Sequence, residues 1–105
     1  MTEAQFRKLA LTQKGAVERS HMNHPDFRAG KDGKIFATIG PDGTWGMVKL
    51  TPDQQAGFIA AAPEAFKPSA GAWGKGGATI VTFKAARVAA VRIALEHAWK
   101  NLTTK

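Results

Sequence analysis

The chain contains no cysteine and no tyrosine among its 105 residues. The lack of cysteine excludes disulfides, thiolate metal ligands and cysteine nucleophiles, and it fits a reducing compartment. The lack of tyrosine removes one common general acid. No apolar run approaches the roughly 18 residues that a membrane span needs. Residues 1–13 also lack the apolar stretch of a signal peptide, so we expect a cytoplasmic protein without membrane contact.

Acidic residues are scarce as well. Eight Asp and Glu face fifteen Lys and Arg, which gives a net charge of +7 and a pI near 10.2. An excess of this size attracts polyanions through long-range electrostatics and counterion release. It is equally compatible with an ordinary basic surface. The net charge therefore shows which kinds of partner are possible, but it does not show which of them the chain binds.

Hydrophobic periodicity predicts one domain, residues 1–105, with three helices and an antiparallel sheet. Two capping boxes mark helix starts, Thr2 with Gln5 and Thr51 with Gln54, and Pro52 suits the first helical position. The predicted helices span about residues 2–13, 52–62 and 85–102, and the predicted strands lie at about 16–22, 27–29, 34–39, 44–50 and 78–83. The order favours an α+β fold, with the N-terminal, middle and C-terminal helices packed on one face of the sheet.

Two segments break the periodicity. Residues 23–26 are predicted to form a turn, because a residue before proline is pushed out of the helical region. Residues 63–77 are predicted to be a Pro/Gly-rich connection. Its glycines do not form a Walker A loop, because Gly76 stands where Ser or Thr must follow Lys75. We interpret them as allowing a tight approach to the sheet, with Trp73 filling the core; a loop that brings Lys75 to a phosphate is the alternative.

The residues suited to metal binding or catalysis do not form a convincing set. His21, His24 and Asp26 are close in sequence, but zinc needs three or four convergent ligands. Odd spacing on a strand points the two histidines to opposite faces. A turn at Asn23 would relieve that, but no third ligand is evident. We therefore predict no metal site and no cofactor. Ser20 and His21 also point opposite ways, Ser69 has no identifiable partner, and no carboxylate pair has contrasting surroundings. The chain is predicted not to be an enzyme.

Five short stretches occur in order along the chain, at residues 24–28 (HPDFR), 34–38 (KIFAT), 45–52 (WGMVKLTP), 66–68 (FKP) and 71–74 (GAWG). Together they resemble the MmcQ/YjbR family of small bacterial proteins, over about residues 6–99. The resemblance implies a fold similar to that of CyaY and frataxin, and it implies DNA binding. Iron binding on an acidic ridge, as in frataxin, does not carry over, because the eight acidic residues are scattered singly.

We predict a nucleic-acid-binding module whose contacts are mainly to phosphate. The predicted phosphate-binding residues are Arg28, Lys31, Lys34, Lys49 and Lys75; Arg19, Lys67 and Lys84 are further basic positions near strands. Trp45 and Trp73 are candidates for base stacking, with burial as the alternative.

Two other functions stay open at this stage. The basic surface would also suit an acidic protein partner, which would make the chain an adaptor. Alternatively, His24, Arg28, Lys49 and Trp73 would together suit a small carboxylate or phosphate ligand.

Overall fold

A computed structural model of the chain describes residues 1–104; Lys105, the last residue of the predicted domain, lies outside them. The helices are α1 (Glu3–Leu11), α2 (Pro52–Ala61), α3 (Gly71–Lys75) and α4 (Val88–Thr103). The strands are β1 (Val17–His21), β2 (His24–Ala29), β3 (Lys34–Ile39), β4 (Trp45–Lys49), β5 (Phe66–Pro68) and β6 (Ala78–Thr82). The predicted α+β class is confirmed. No helix formed by residues 1–104 has the length and hydropathy that a bilayer crossing needs.

All six strands belong to one antiparallel sheet, in the order β1-β2-β3-β4-β6-β5. The first four strands form the predicted meander, each paired with the next along the chain. The chain then crosses through α2, and β6 pairs with β4 while the short β5 takes the outer edge. Strands β1 and β5 are therefore the two edges of the sheet.

The two predicted capping boxes are confirmed. The Thr2 side chain accepts from the Gln5 backbone N–H, and the Gln5 side chain accepts from the Thr2 backbone N–H. Thr51 and Gln54 make the same reciprocal pair at the start of α2, where Pro52 holds the first helical position. Each N-cap contributes about 1 kcal/mol, because it satisfies backbone N–H groups that the helix itself leaves without acceptors.

The hydrophobic core lies between one face of the sheet and the helices. Fully buried phenylalanines at positions 6, 27 and 36 form its centre, together with Val48 and Val81 from β4 and β6. Helix α4 closes it with Val91, Leu95 and Ala98. Helix α3 lies instead at the end of β4 and β6. The opposite face of the sheet has no helix of the core layer on it, and we call it the open face.

Strand β2 begins earlier than predicted. The turn between β1 and β2 consists of Met22 and Asn23 alone, both with positive φ (49° and 67°), and the strand starts at His24. Two left-handed residues are typical of a tight hairpin turn, which here takes the place of the turn predicted at residues 23–26. Methionine does not by itself indicate a left-handed conformation. The prediction relied instead on Pro25 and therefore extended the turn to Asp26.

The predicted connection at residues 63–77 contains two elements, β5 and α3. Phe66 brings β5 to the sheet by burying its ring, and a three-residue strand is too short to produce an alternating pattern. Helix α4 also begins later than predicted, at Val88, because Arg87 has an extended backbone and is its N-cap.

Candidate functional site

One row of side chains crosses the whole open face. Successive strand pairings place Arg19 opposite Asp26, Asp26 opposite Thr38, Thr38 opposite Met47, Met47 opposite Ile80 and Ile80 opposite Lys67. Side chains on a strand alternate between faces, so these residues share a face whereas their sequence neighbours Phe27, Ala37 and Val48 point into the core. The row begins and ends with an exposed basic residue.

A groove lies along this row. One part of it has a volume of about 360 Å³ and is lined by two imidazoles, two indoles and one lysine, with Thr38, Met47 and Ser69 between them: His21, His24, Trp45, Trp73 and Lys49. A second depression adjoins it, shares Trp45, Ser69 and Ile80 with it, and extends to Lys67 and Lys84. We call the two depressions together the groove, and the first of them the pocket.

Asp26 is the buried charged centre beside the pocket, with 0% of its surface exposed. Its Oδ1 accepts from Arg28 Nε at 2.8 Å, and its Oδ2 accepts from Arg28 Nη2 at 3.1 Å. Oδ2 also lies 2.5 Å from His21 Nδ1. The hydrogen bonds from Arg28 are the main cause that lowers the pKa of Asp26, with a smaller contribution from His21, against desolvation that raises it. An ionised carboxylate only accepts, so Nδ1 of His21 carries a proton and donates it, while Nε2 points away from Asp26.

We expect this network to make stability depend on pH in the acid range. Because the pKa of Asp26 is lowered from 3.8 by folding, its stabilisation is present above about pH 4 and is lost as pH falls through the folded-state pKa. The difference in unfolding free energy between the native chain and Asp26→Asn should therefore be largest near neutral pH and shrink below pH 4. Urea denaturation at pH 7, 5, 4 and 3 measures it. A difference that is the same at pH 7 and pH 3 would contradict this linkage.

The two histidines lie on the same face, as the sequence allowed only if a turn at Asn23 separated them. The two-residue turn pairs His21 directly with His24 across the hairpin, and their ring centroids are 4.4 Å apart. Odd spacing separates faces only along a continuous strand, and the turn interrupts it. Both oxygens of Asp26 are engaged by Arg28 and His21. Within residues 1–104, no group of three or more His, Cys, Asp and Glu side chains is close enough together to hold a metal ion.

Trp73 does not fill the core, as the sequence had suggested, but is 68% exposed on α3. The Lys49 Nζ lies 5.3 Å from the centroid of its ring, a cation–π distance. The glycines of this segment do allow a tight approach, as predicted. The atoms that they approach are backbone carbonyl oxygens. A Cβ on Gly74 would lie 1.8 Å from the Ser69 carbonyl oxygen, and one on Gly77 would lie 2.0 Å from that of Leu50.

Helix α3 is held in place from the core side by Gln55, which sequence reasoning missed. Gln55 is buried on α2, and its Nε2 donates to the carbonyl oxygens of Gly74 and Ala78, both at 3.0 Å. These two bonds join α2, α3 and β6. A buried amide inside an otherwise apolar helix stripe is the sequence signal that would have identified it, because such groups are hydrogen-bonded almost without exception.

The predicted phosphate-binding residues do not converge. Lys49 lies in the pocket with His24, Trp45 and Trp73, so these four predicted residues are brought together. Arg28 is on the open face, but two of its guanidinium nitrogens are bound to Asp26. The others lie apart: Lys31 in the β2–β3 turn, Lys34 beside Asn101 and Leu102 near the end of α4, and Lys75 in the last turn of α3.

The unpaired positive charge of the open face comes from three residues that the sequence analysis named only as further basic positions. Arg19, Lys67 and Lys84 are exposed there, and within residues 1–104 none of them has an ion-pair partner. Asp26 is the one acidic residue of this face, and it is neutralised by Arg28. The other seven lie in helices, in turns or on the core side of β1: Glu3, Glu18, Asp32, Asp42, Asp53, Glu64 and Glu96.

Two solved structures have the same fold. A Deinococcus radiodurans protein, DR2400, with a DUF419 domain superposes with a TM-score of 0.80 at 16% identity, covering 99% of this chain and 80% of that one. A Pseudomonas syringae protein superposes with a TM-score of 0.75 at 13% identity, covering 96% of this chain and 98% of that one. No protein-family model and no curated protein matches the sequence. At these identities the likeness establishes the fold alone, and the resemblance to CyaY stays a prediction.

Proposed function

We propose that this chain is an MmcQ/YjbR-like cytoplasmic protein that binds nucleic acid through the open face of its sheet and catalyses no reaction on it. The observation that carries the proposal is the distribution of charge on the open face, with unpaired basic side chains at both ends of the cross-strand row and one neutralised carboxylate between them. A surface of this kind attracts a polyanion and repels no part of it. The likeness to the DUF419 structure supports the family assignment, because DUF419 is related to the MmcQ/YjbR fold.

The phosphate contacts come from the open face and not from the whole basic surface. Arg19 and Lys67 end the row, Lys84 lies beside Lys67, and Lys49 lies in the pocket. Arg28 contributes by orienting Asp26 and His21, since its guanidinium is already bound. Lys31, Lys34 and Lys75 add to the long-range field without contacting the same segment of nucleic acid.

The test is fluorescence anisotropy of labelled oligonucleotides over a salt titration, with the variant Arg19→Glu/Lys67→Glu. Both side chains are exposed, so the fold should tolerate the change. The native chain should bind more weakly as salt rises, and the variant should lose at least about tenfold in affinity. The slope of log K against log salt should fall in magnitude by about 1.5, because two phosphate contacts are lost.

The matched control is Lys8→Glu/Lys14→Glu, which changes the net charge equally on the helix side of the molecule, at residues that are also exposed. Its affinity should stay within about threefold of native, because only the long-range field changes. Equal losses of affinity in the two double variants would show that the open face is not the binding surface. A native chain that binds no oligonucleotide at low salt would end it.

A small anion is the second candidate ligand, because the pocket volume of about 360 Å³ falls in the range of small-molecule sites. Lys49 and the two imidazoles would bind its charge, and Trp73 would cover an apolar part. Binding of inorganic phosphate or a nucleoside monophosphate by a chain that binds no oligonucleotide would favour this candidate.

A further inference from the structure

We infer that the nucleic acid is single-stranded and that the pocket takes one unpaired base against Trp73. The inference rests on the proposed function and adds the strand state and the place of the base. Single-strand binders combine a basic groove that follows the backbone with aromatic side chains on which bases stack. The groove and the two tryptophans that line it, Trp45 and Trp73, meet both requirements on one surface.

The shape of the open face favours one strand over two. The groove crosses five strand intervals, which is about 24 Å. The pocket within it is an open depression flanked by the β1–β2 hairpin on one side and by α3 on the other. Helices α1, α2 and α4 pack against the core side, and α3 has five residues, so within residues 1–104 no full-length helix is presented here to a major groove.

Trp73 is suited to stacking because its ring is exposed while its backbone is held. Gln55 binds the carbonyl of the neighbouring Gly74, and the close contact of Gly77 with Leu50 fixes the end of α3. Lys49 lies over the ring and beside the pocket, where it would also reach the phosphate of a stacked nucleotide. A rigid, amphipathic ring loses little conformational entropy when it binds.

The two imidazoles supply one hydrogen-bond acceptor and one donor to the same pocket. A neutral His21 that donates from Nδ1 to Asp26 has an unprotonated Nε2, which accepts. The Nδ1 of His24 is buried and has no hydrogen-bond partner among the described residues. A buried N–H without an acceptor is costly, so the proton belongs on Nε2, which donates. The Watson–Crick edge of every base offers a neighbouring donor and acceptor, and the imidazole pair matches such an edge.

The test compares a labelled single strand with a duplex of the same sequence, for the native chain and for Trp73→Ala, Trp73→Phe and the control Ile93→Ala. Ile93 is an exposed apolar residue of α4 on the other side of the molecule. The single strand should bind more tightly than the duplex. Trp73→Ala should weaken single-strand binding roughly tenfold, because one stacked base is lost. Trp73→Phe should retain most of the affinity, and Ile93→Ala should leave it unchanged.

The outcomes of this test separate the inference from the proposed function. Duplex binding as tight as single-strand binding, lost in Arg19→Glu/Lys67→Glu, would retain the proposed function and overturn the inference. The inference would be overturned in the same way if Trp73→Ala bound the single strand as tightly as Ile93→Ala does. Absence of binding to either form at low salt would overturn both.

Recognition of the base edge has its own readout. His24→Phe should weaken the binding of oligo-dA, oligo-dC and oligo-dT by a similar factor, because the ring is kept while the hydrogen-bond donor is removed. Affinities of His24→Phe equal to those of the native chain for all three would overturn the role of the imidazole pair.

Discussion

Replacing Asp26 by alanine is expected to lower the free energy of unfolding by roughly 3 kcal/mol, at the lower end of the effect of breaking a buried ion pair. The carboxylate is fully buried and accepts from Arg28 and His21 together. Its removal leaves both partners without an acceptor, although each is about a third exposed and regains some hydration. Urea denaturation at pH 7 measures the loss.

Two further variants make the Asp26 result specific. Asp26→Asn keeps one oxygen acceptor and should lose less stability than Asp26→Ala. Asp32→Ala changes an exposed carboxylate in the β2–β3 turn and should stay within about 0.5 kcal/mol of native. If Asp26→Ala were as stable as Asp32→Ala, the buried network would contribute nothing to the fold. We also expect Asp26→Ala to weaken ligand binding, because His21 loses the partner that orients it.

Gly77→Ala is expected to destabilise the chain by about 3 kcal/mol, from backbone strain and overpacking together. Gly77 has a φ of +111°, which L residues rarely adopt, and an added Cβ would lie 2.0 Å from the Leu50 carbonyl oxygen. That neighbour is backbone at the end of β4 and cannot rotate away. Helix α3 must therefore shift, and Trp73 with it, so single-strand affinity should fall along with stability.

The control for Gly77 is Gly57→Ala, which should have the opposite sign. Gly57 lies inside α2, and no atom is within 4 Å of its added Cβ. Alanine in a helix interior is favoured over glycine by roughly 0.5–1 kcal/mol, so this variant should be more stable than native. Thermal and urea unfolding of both variants check the pair. A Gly77→Ala chain as stable as native would show that α3 is free to move.

Local signals in the sequence predicted most of the fold. The two capping boxes begin α1 and α2 where Thr2 and Thr51 indicated, because a cap involves residues only three apart. Strands β3, β4 and β6 were predicted from alternation, which reports the burial of one face. The elements that were missed, β5 and α3, have three and five residues, so neither is long enough to form a periodic pattern.

The candidate site was predicted in part. His24, Lys49, Trp45 and Trp73 line one pocket. Arg28 was predicted to be a free phosphate contact, but its guanidinium is bound to Asp26. The sequence alone does not reveal this ion pair, because it depends on which face of the strand is buried. Arg19, Lys67 and Lys84 were named only as further basic positions, because the face that they share follows from the strand order, which places β1 and β5 at opposite edges of one sheet.

The sequence by itself determined the α+β class, the helix starts, the strand alternation and the excess positive charge. Each of these is a property of a residue and its close neighbours along the chain, or of the composition as a whole. Only the tertiary structure decided that His21 faces His24, that Asp26 is buried between two partners, and that Trp73 is exposed. These depend on strand order and on a left-handed turn at Met22–Asn23, which bring together residues that no local pattern connects.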